Sequence, residues 1–107
     1  MSARYWQRGE TLDFVAEEDV KSGQVVSLNT RIGIAGTDIP TDETGAVHVV
    51  GVFEFDKGTG AIGLGAACYY DMDADLITTT AGGNVPAGYA VAAVDASTLT
   101  VLVKLLG

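Results

Sequence analysis

The sequence predicts one small all-β domain, a barrel or sandwich of about eight short strands joined by glycine-rich turns. Three observations carry this. Fourteen glycines are spread along 107 residues rather than gathered in a linker. Between them lie short runs rich in Val, Ile, Thr, Tyr and Phe, the residues that fit a pleated, half-buried surface. Within those runs apolar and polar residues partly alternate with period two, as in Val52-Phe53-Glu54-Phe55-Asp56, Leu99-Thr100-Val101-Leu102-Val103-Lys104-Leu105 and Arg31-Ile32-Gly33-Ile34.

In chain order, strands are expected near Leu12 to Ala16, Gln24 to Asn29, Arg31 to Ala35, Val47 to Phe55, Ala67 to Tyr70, Leu76 to Thr80, Gly88 to Val94 and Leu99 to Leu105. The stretch Ala87 to Ala96 is alanine-rich and would suit a helix by composition. Gly88 and valines 85, 91 and 94 favour a strand instead. A weak repeat links three segments: Val20-Lys21-Ser22-Gly23-Gln24-Val25-Val26, Ile62-Gly63-Leu64-Gly65-Ala66-Ala67-Cys68 and Val85-Pro86-Ala87-Gly88-Tyr89-Ala90-Val91. Each reads as a tight turn feeding a strand. Glycine meets the positive φ of the third turn position, and Pro86 suits the position before it in a type II turn.

Length admits one domain and excludes doubly wound or eight-stranded α/β architectures. Apolar residues make up 48% of the chain and charged residues 19%, enough to form a core. Six basic against fourteen acidic residues leave a formal charge of -8. That charge opposes binding to a nucleic-acid backbone, whose affinity comes from cations displacing counterions. A single cysteine, Cys68, cannot form an internal disulfide, and a single histidine, His48, leaves no Cys/His zinc set. No run approaches the roughly 20 apolar residues that span a bilayer, and the N-terminus lacks a signal-peptide core, so synthesis and folding in a cytosol are expected. A domain of this size gains burial by associating, so an oligomer is expected.

The candidate chemical sites each meet a structural objection. Asp71-Met72-Asp73-Ala74-Asp75 opens like an EF-hand calcium loop, but the sixth and twelfth places hold Leu76 and Gly82 instead of glycine and glutamate. A solvated hairpin loop is the simpler reading. Gly58-Thr59-Gly60-Ala61-Ile62-Gly63 has the G-x-G-x-x-G spacing without the following helix or the acidic residue about 20 positions on. No phosphate loop with its lysine occurs. His48, between Val47 and Val49, is expected half-exposed on the opposite strand face, and Cys68 is expected to behave as a small buried apolar residue. No catalytic residue, cofactor site or metal site is assigned.

Two features point to protein contact. Met1 to Arg8 form an arm that carries Arg4, Tyr5, Trp6 and Arg8 and no acid, ahead of a β domain from Gly9 to Gly107 that is strongly negative. Trp, Tyr and Arg dominate interface energetics. These four are the candidate partner-binding residues, toward a coat protein or a neighbouring subunit. The second feature is the acidic run Glu17-Glu18-Asp19, with Asp38, Asp42 and Glu43 in the following loop. It reads either as solvated loops or as charge turned toward basic patches on a partner.

Taken in order, the segments resemble a family of small phage proteins regarded as capsid cement or decoration proteins. The matching residues are Ser22-Gly23-Gln24-Val25-Val26; Gly33-Ile34-Ala35 with Thr37-Asp38; Gly51-Val52-Phe53-Glu54-Phe55 with Lys57; Gly65-Ala66 leading into Tyr69-Tyr70-Asp71; Thr78-Thr79-Thr80; Gly83-Asn84; Gly88-Tyr89-Ala90; and Val101-Leu102-Val103-Lys104-Leu105. The resemblance covers almost the whole chain and lies in the order and spacing of turn and strand signatures. Phe55-Asp56-Lys57 departs from the family's usual Leu-Pro-Lys, and the loop after Tyr70 carries extra aspartates.

The resemblance implies a non-enzymatic virion protein, without cofactor, bound to the outer surface of the assembled head. There it would stabilise the seams between major capsid protein subunits. The homo-oligomer already expected from the size of the domain would then be a trimer at local three-fold positions first, and a dimer second. Some relatives carry a RecA-type recombinase label, which the absent phosphate loop and the short chain contradict here. Two readings compete: a small-molecule or metal-binding β-barrel using Asp71 to Asp75, and a tail or baseplate component.

Overall fold

Alternating patterns resolve into strands wherever a turn lets the chain reverse, and the computed structural model, which describes residues 1–106, contains nine of them and no helix among those residues. They are β1 (Thr11–Val15), β2 (Val25–Ser27), β3 (Ile32–Ala35), β4 (Thr44–His48), β5 (Val52–Asp56), β6 (Ala67–Asp71), β7 (Leu76–Thr78), β8 (Val85–Ala90) and β9 (Thr100–Leu105). Two antiparallel sheets result, with strand orders β1-β4-β3-β2 and β5-β9-β8-β6-β7. The second sheet curls so that its edge strands touch at one isolated parallel bridge, Lys57 to Ile77, with Gly58 N–H donating to Ile77 O at 3.1 Å, but no ladder closes it. The all-β class is as the sequence predicts, in an open rather than a closed barrel.

The sheets share one plan. Ala16 N–H donates to Glu43 O (3.1 Å) as Lys57 N–H donates to Leu99 O (3.0 Å). Val49 N–H reaches Glu10 O (3.0 Å) as Leu105 N–H reaches Gly51 O (2.9 Å). Val20 bridges Ile39 as Ile62 bridges Val94, and Gly23 N–H bonds Ala35 O as Gly65 N–H bonds Ala90 O, both at 2.8 Å. Thus β1, β2, β3 and β4 correspond to β5, β6, β8 and β9, each set a Greek key in which the long connection comes first. β7 has no counterpart. Where it is inserted, the first half has a tight turn closed by Leu28 N–H to Arg31 O (2.7 Å).

β3 joins the two halves, and all four of its residues are buried. Ile32 and Ile34 pack into a core with Phe55, Ile77, Val101 and Val103, while Ala35 belongs to a smaller cluster with Val20, Val26, Ile39 and Val47. Successive side chains of a strand point to opposite faces, so one strand serves both clusters.

Three expectations are corrected. The single strand Val47 to Phe55 is two strands in different sheets, separated at Gly51, whose φ of 115° no other residue adopts easily. The apolar run continues through Val49-Val50, so the pattern conceals the break. The strand expected at Gly88 to Val94 is Val85–Ala90. Finally, Val85 to Gly88 is not a turn. It lies inside β8, where Pro86 pairs with Tyr69 beside a bulge between Cys68 and Tyr69, a place that tolerates a missing N–H. The other two repeat segments are turns as expected: Gln24 N–H bonds Lys21 O (3.0 Å) with Gly23 at φ 85°, and Ala66 N–H bonds Gly63 O (3.1 Å) with Gly65 at φ 80°.

Gly88 is required for another reason. A Cβ there would collide with the backbone carbonyl of Lys104 in β9. At its counterpart Gly33 a Cβ would lie 3.2 Å from a Val47 methyl and 3.4 Å from His48 O, a tight contact but not a collision.

Candidate functional site

The N-terminal arm projects from the four-stranded sheet. Residues 1–9 form no strand, and every side chain from Met1 to Arg8 is exposed, Trp6 at 89% and Tyr5 at 81%. Arg8 Nη2 lies 3.4 Å from Glu10 Oε1, a pair on exposed side chains that holds the arm only weakly. Arg4, Tyr5, Trp6 and Arg8 are therefore presented together, free of the core. Gly9, at φ 77°, leads the arm into β1.

β1 is an edge strand. Its residues pair with β4 from Thr11↔His48 to Val15↔Thr44, and the bonds at Glu10 and Ala16 set the alternation. The backbone groups of Thr11, Asp13 and Val15 consequently face away from the sheet. Directly after β1 come Glu17, Glu18 and Asp19, all exposed. Asp19 is a structural member of that run: its Oδ1 accepts from Thr41 N–H and Thr41 Oγ1–H, both at 2.8 Å, and the backbone bond, followed by the hydroxyl, lowers its pKa. Asp38 Oδ1 likewise accepts from Ser22 N–H at 2.8 Å. Glu17 and Glu18 are left to face solvent. They border a groove of about 880 Å³ between β1 and β2, floored by Phe14, Val20, Val25 and Leu28.

The remaining candidates are absorbed by the fold. In the loop Asp71 to Asp75, Asp71 Oδ1 accepts from Asp73 N–H (3.0 Å) and Ala74 N–H (3.1 Å), and Tyr70 Oη–H donates to Asp75 Oδ1 at 2.5 Å. Two of the three carboxylates thus brace their own hairpin, and no group of metal-ligating side chains forms among the described residues. Burial, then the bond to Asp75, pushes the Tyr70 phenol well above its usual value. His48 is exposed beside Phe53, ring centroids 6.2 Å apart, at the mouth of a second groove of about 500 Å³ between the sheets. Cys68 is buried, and desolvation raises its thiol pKa, the opposite of nucleophile activation.

One residue escaped the sequence reading. Lys57 is only 7% exposed, and its ammonium donates to Gly58 O (3.0 Å) and Gly60 O (2.8 Å). The glycine loop that imitates a dinucleotide motif therefore wraps a lysine of its own chain. A lysine followed at once by Gly-Thr-Gly was the available signal, since only a backbone able to turn tightly can bring two carbonyls onto one ammonium.

No curated protein and no solved structure matches this chain. A family model described as phage cement protein matches residues 6–105, nearly all of the 107. The match spans the whole of this two-sheet, all-β scaffold from Trp6 to Leu105, and the chain belongs to the phage cement protein family.

Proposed function

We propose that this protein is a decoration protein of the phage head, bound to the outer surface of the assembled shell at seams between major capsid protein subunits. Packed DNA repels itself and loads those seams. A ligand that binds only the closed arrangement stabilises it by mass action, and many copies sum small contributions. Nothing in that task requires catalysis or a cofactor.

The observation that carries the reading is the arm: two arginines, a tyrosine and a tryptophan, all exposed, in a stretch with no acidic residue before Glu10, on a chain of formal charge -8. Arm and β domain act as separate parts, the arm supplying contacts and the domain a rigid body. Self-association as a trimer at local three-fold positions is the arrangement proposed, before a dimer.

Co-sedimentation with purified expanded heads tests this. The chain lacking Met1 to Arg8 is expected to stay folded and to remain in the supernatant, while the full chain pellets with heads. Binding by the truncated chain at full affinity would defeat the role of the arm; failure of the full chain to bind heads would defeat the assignment itself.

A further inference from the structure

The correspondence between the two halves shows that the first is one strand short. In the second half β7 lies between β6 and the end of β5: it pairs with Tyr69, Tyr70 and Asp71, and Ile77 O accepts from Gly58 N–H. The counterparts of those residues are Ser27, Leu28, Asn29 and Glu17. All four border the groove of about 880 Å³ between β1 and β2, and no strand pairs with the outer edge of β2 there; Ser27 ends β2, and Asn29, at φ 73°, turns out of it and gives its N–H to Ser27 Oγ at 3.1 Å. Glu17 N–H, unlike Gly58 N–H, has no backbone partner among the described residues.

We propose that this groove receives the N-terminal arm of a second copy of the chain, which adds a strand beside β2 as β7 does beside β6. Chemistry matches occupant to site: in a strand Arg4, Trp6 and Arg8 share one face, so Trp6 covers the apolar floor of Phe14, Val25 and Leu28 while the flanking arginines meet Glu17 and Glu18 on the rim, and Tyr5 lies on the opposite face. Eight extended residues reach about 26 Å, more than a three-residue strand such as β7 needs. Direction decides between the chain's own arm and another's. A strand antiparallel to β2 runs parallel to β1, as β7 runs parallel to β5 at the Lys57 bridge. Parallel neighbours need a connection of about a dozen residues, whereas the arm enters β1 directly through Gly9 and Glu10. The donated strand therefore comes from another molecule. The proposal rests on the reading of the arm as a docking element and requires no coat protein, so its tests are run in the absence of heads.

Chains carrying Trp6→Cys are mixed with chains carrying Glu18→Cys under mild oxidation, with the parent chain as the control for buried Cys68. A disulfide-linked heterodimer is the expected product. In parallel, light scattering of the full chain is expected to show an oligomer that Glu17→Lys/Glu18→Lys weakens by about tenfold or more and that adding Arg4→Glu/Arg8→Glu restores. A monomer at the highest soluble concentration overturns the proposal. So does an oligomer indifferent to both charge reversals, or a mixture in which no Trp6→Cys to Glu18→Cys heterodimer forms. Exposed positions are used throughout, and circular dichroism confirms that each variant is folded. A monomer that still binds heads through its arm would overturn this arrangement while leaving the attachment role intact.

Discussion

Lys57 occupies in the second sheet the place that Ala16 holds in the first. Both are buried, and both give their backbone N–H to the strand that closes their own half, Ala16 to Glu43 and Lys57 to Leu99. An alanine needs nothing further there. A lysine must have its ammonium satisfied, and the carbonyls of Gly58 and Gly60 do this.

Lys57→Ala, although it copies the first half, is therefore expected to destabilise the protein by about 2 kcal/mol, roughly 10 °C in Tm for a domain of this size. Lys57→Met, which keeps the apolar stem, should fall between the two. Differential scanning calorimetry checks the order; an unchanged Tm for Lys57→Ala would show that the ammonium cap contributes nothing.

Gly88→Ala and Gly33→Ala test the shared plan at equivalent positions. The first forces a Cβ into the Lys104 backbone, which cannot move without parting β8 from β9, and should cost more than about 4 kcal/mol or abolish soluble expression. The second meets the Val47 side chain at 3.2 Å, a contact relieved by a shift of a few tenths of an ångström, and is expected to remain folded with a smaller loss. Equal Tm values for the two would disprove the close approach at Gly88.

Stability should also fall at alkaline pH through Tyr70. Burial and the bond to Asp75 raise its folded pKa above the ordinary value of 10.0, so the folded chain holds that proton more tightly than the unfolded one. The contribution is complete below pH 10 and is lost as pH climbs toward the folded value. Urea midpoints measured from pH 8 to 11 are expected to decline more steeply for the parent chain than for Tyr70→Phe. Parallel declines would remove Tyr70 as the cause.

The acid side works with the opposite sign. Bonds from Thr41 to Asp19, and from Thr98 and Ser97 to Asp95, lower both carboxyl pKa values below the ordinary 3.8. Their stabilisation is present above that value and disappears as pH falls through the folded ones. Asp19→Asn is expected to flatten the loss of stability between pH 4 and 2, and Asp19→Asn/Asp95→Asn to flatten it further. A double variant that tracked the parent chain across this range would contradict the assignment.

On the heads, buried area should outrank charge. Trp6→Ala is expected to weaken co-sedimentation more than Asp73→Ala, since a tryptophan at a protein contact excludes far more water than a hairpin aspartate. The reverse order would move the attachment surface to the β6–β7 loop.

By itself the sequence determined what is local. The turns at Lys21 to Gln24 and Gly63 to Ala66 follow from one glycine at one position, the strands from alternation, and the chemistry of the arm from eight consecutive residues. The order of these signatures was enough to indicate the family. Tertiary structure decided whatever depends on residues far apart in the chain. Val49-Val50-Gly51 reads as uninterrupted strand until the two sheets separate there, and Val85-Pro86-Ala87-Gly88 reads as a turn until β9 comes to lie against Gly88. The burial of Lys57 and the open place beside β2 likewise appear only when the halves are laid over one another. A turn is selected by the φ and ψ of two residues, whereas strand pairing is selected by which distant segment buries the most apolar surface in register, and no window of neighbouring residues contains that comparison.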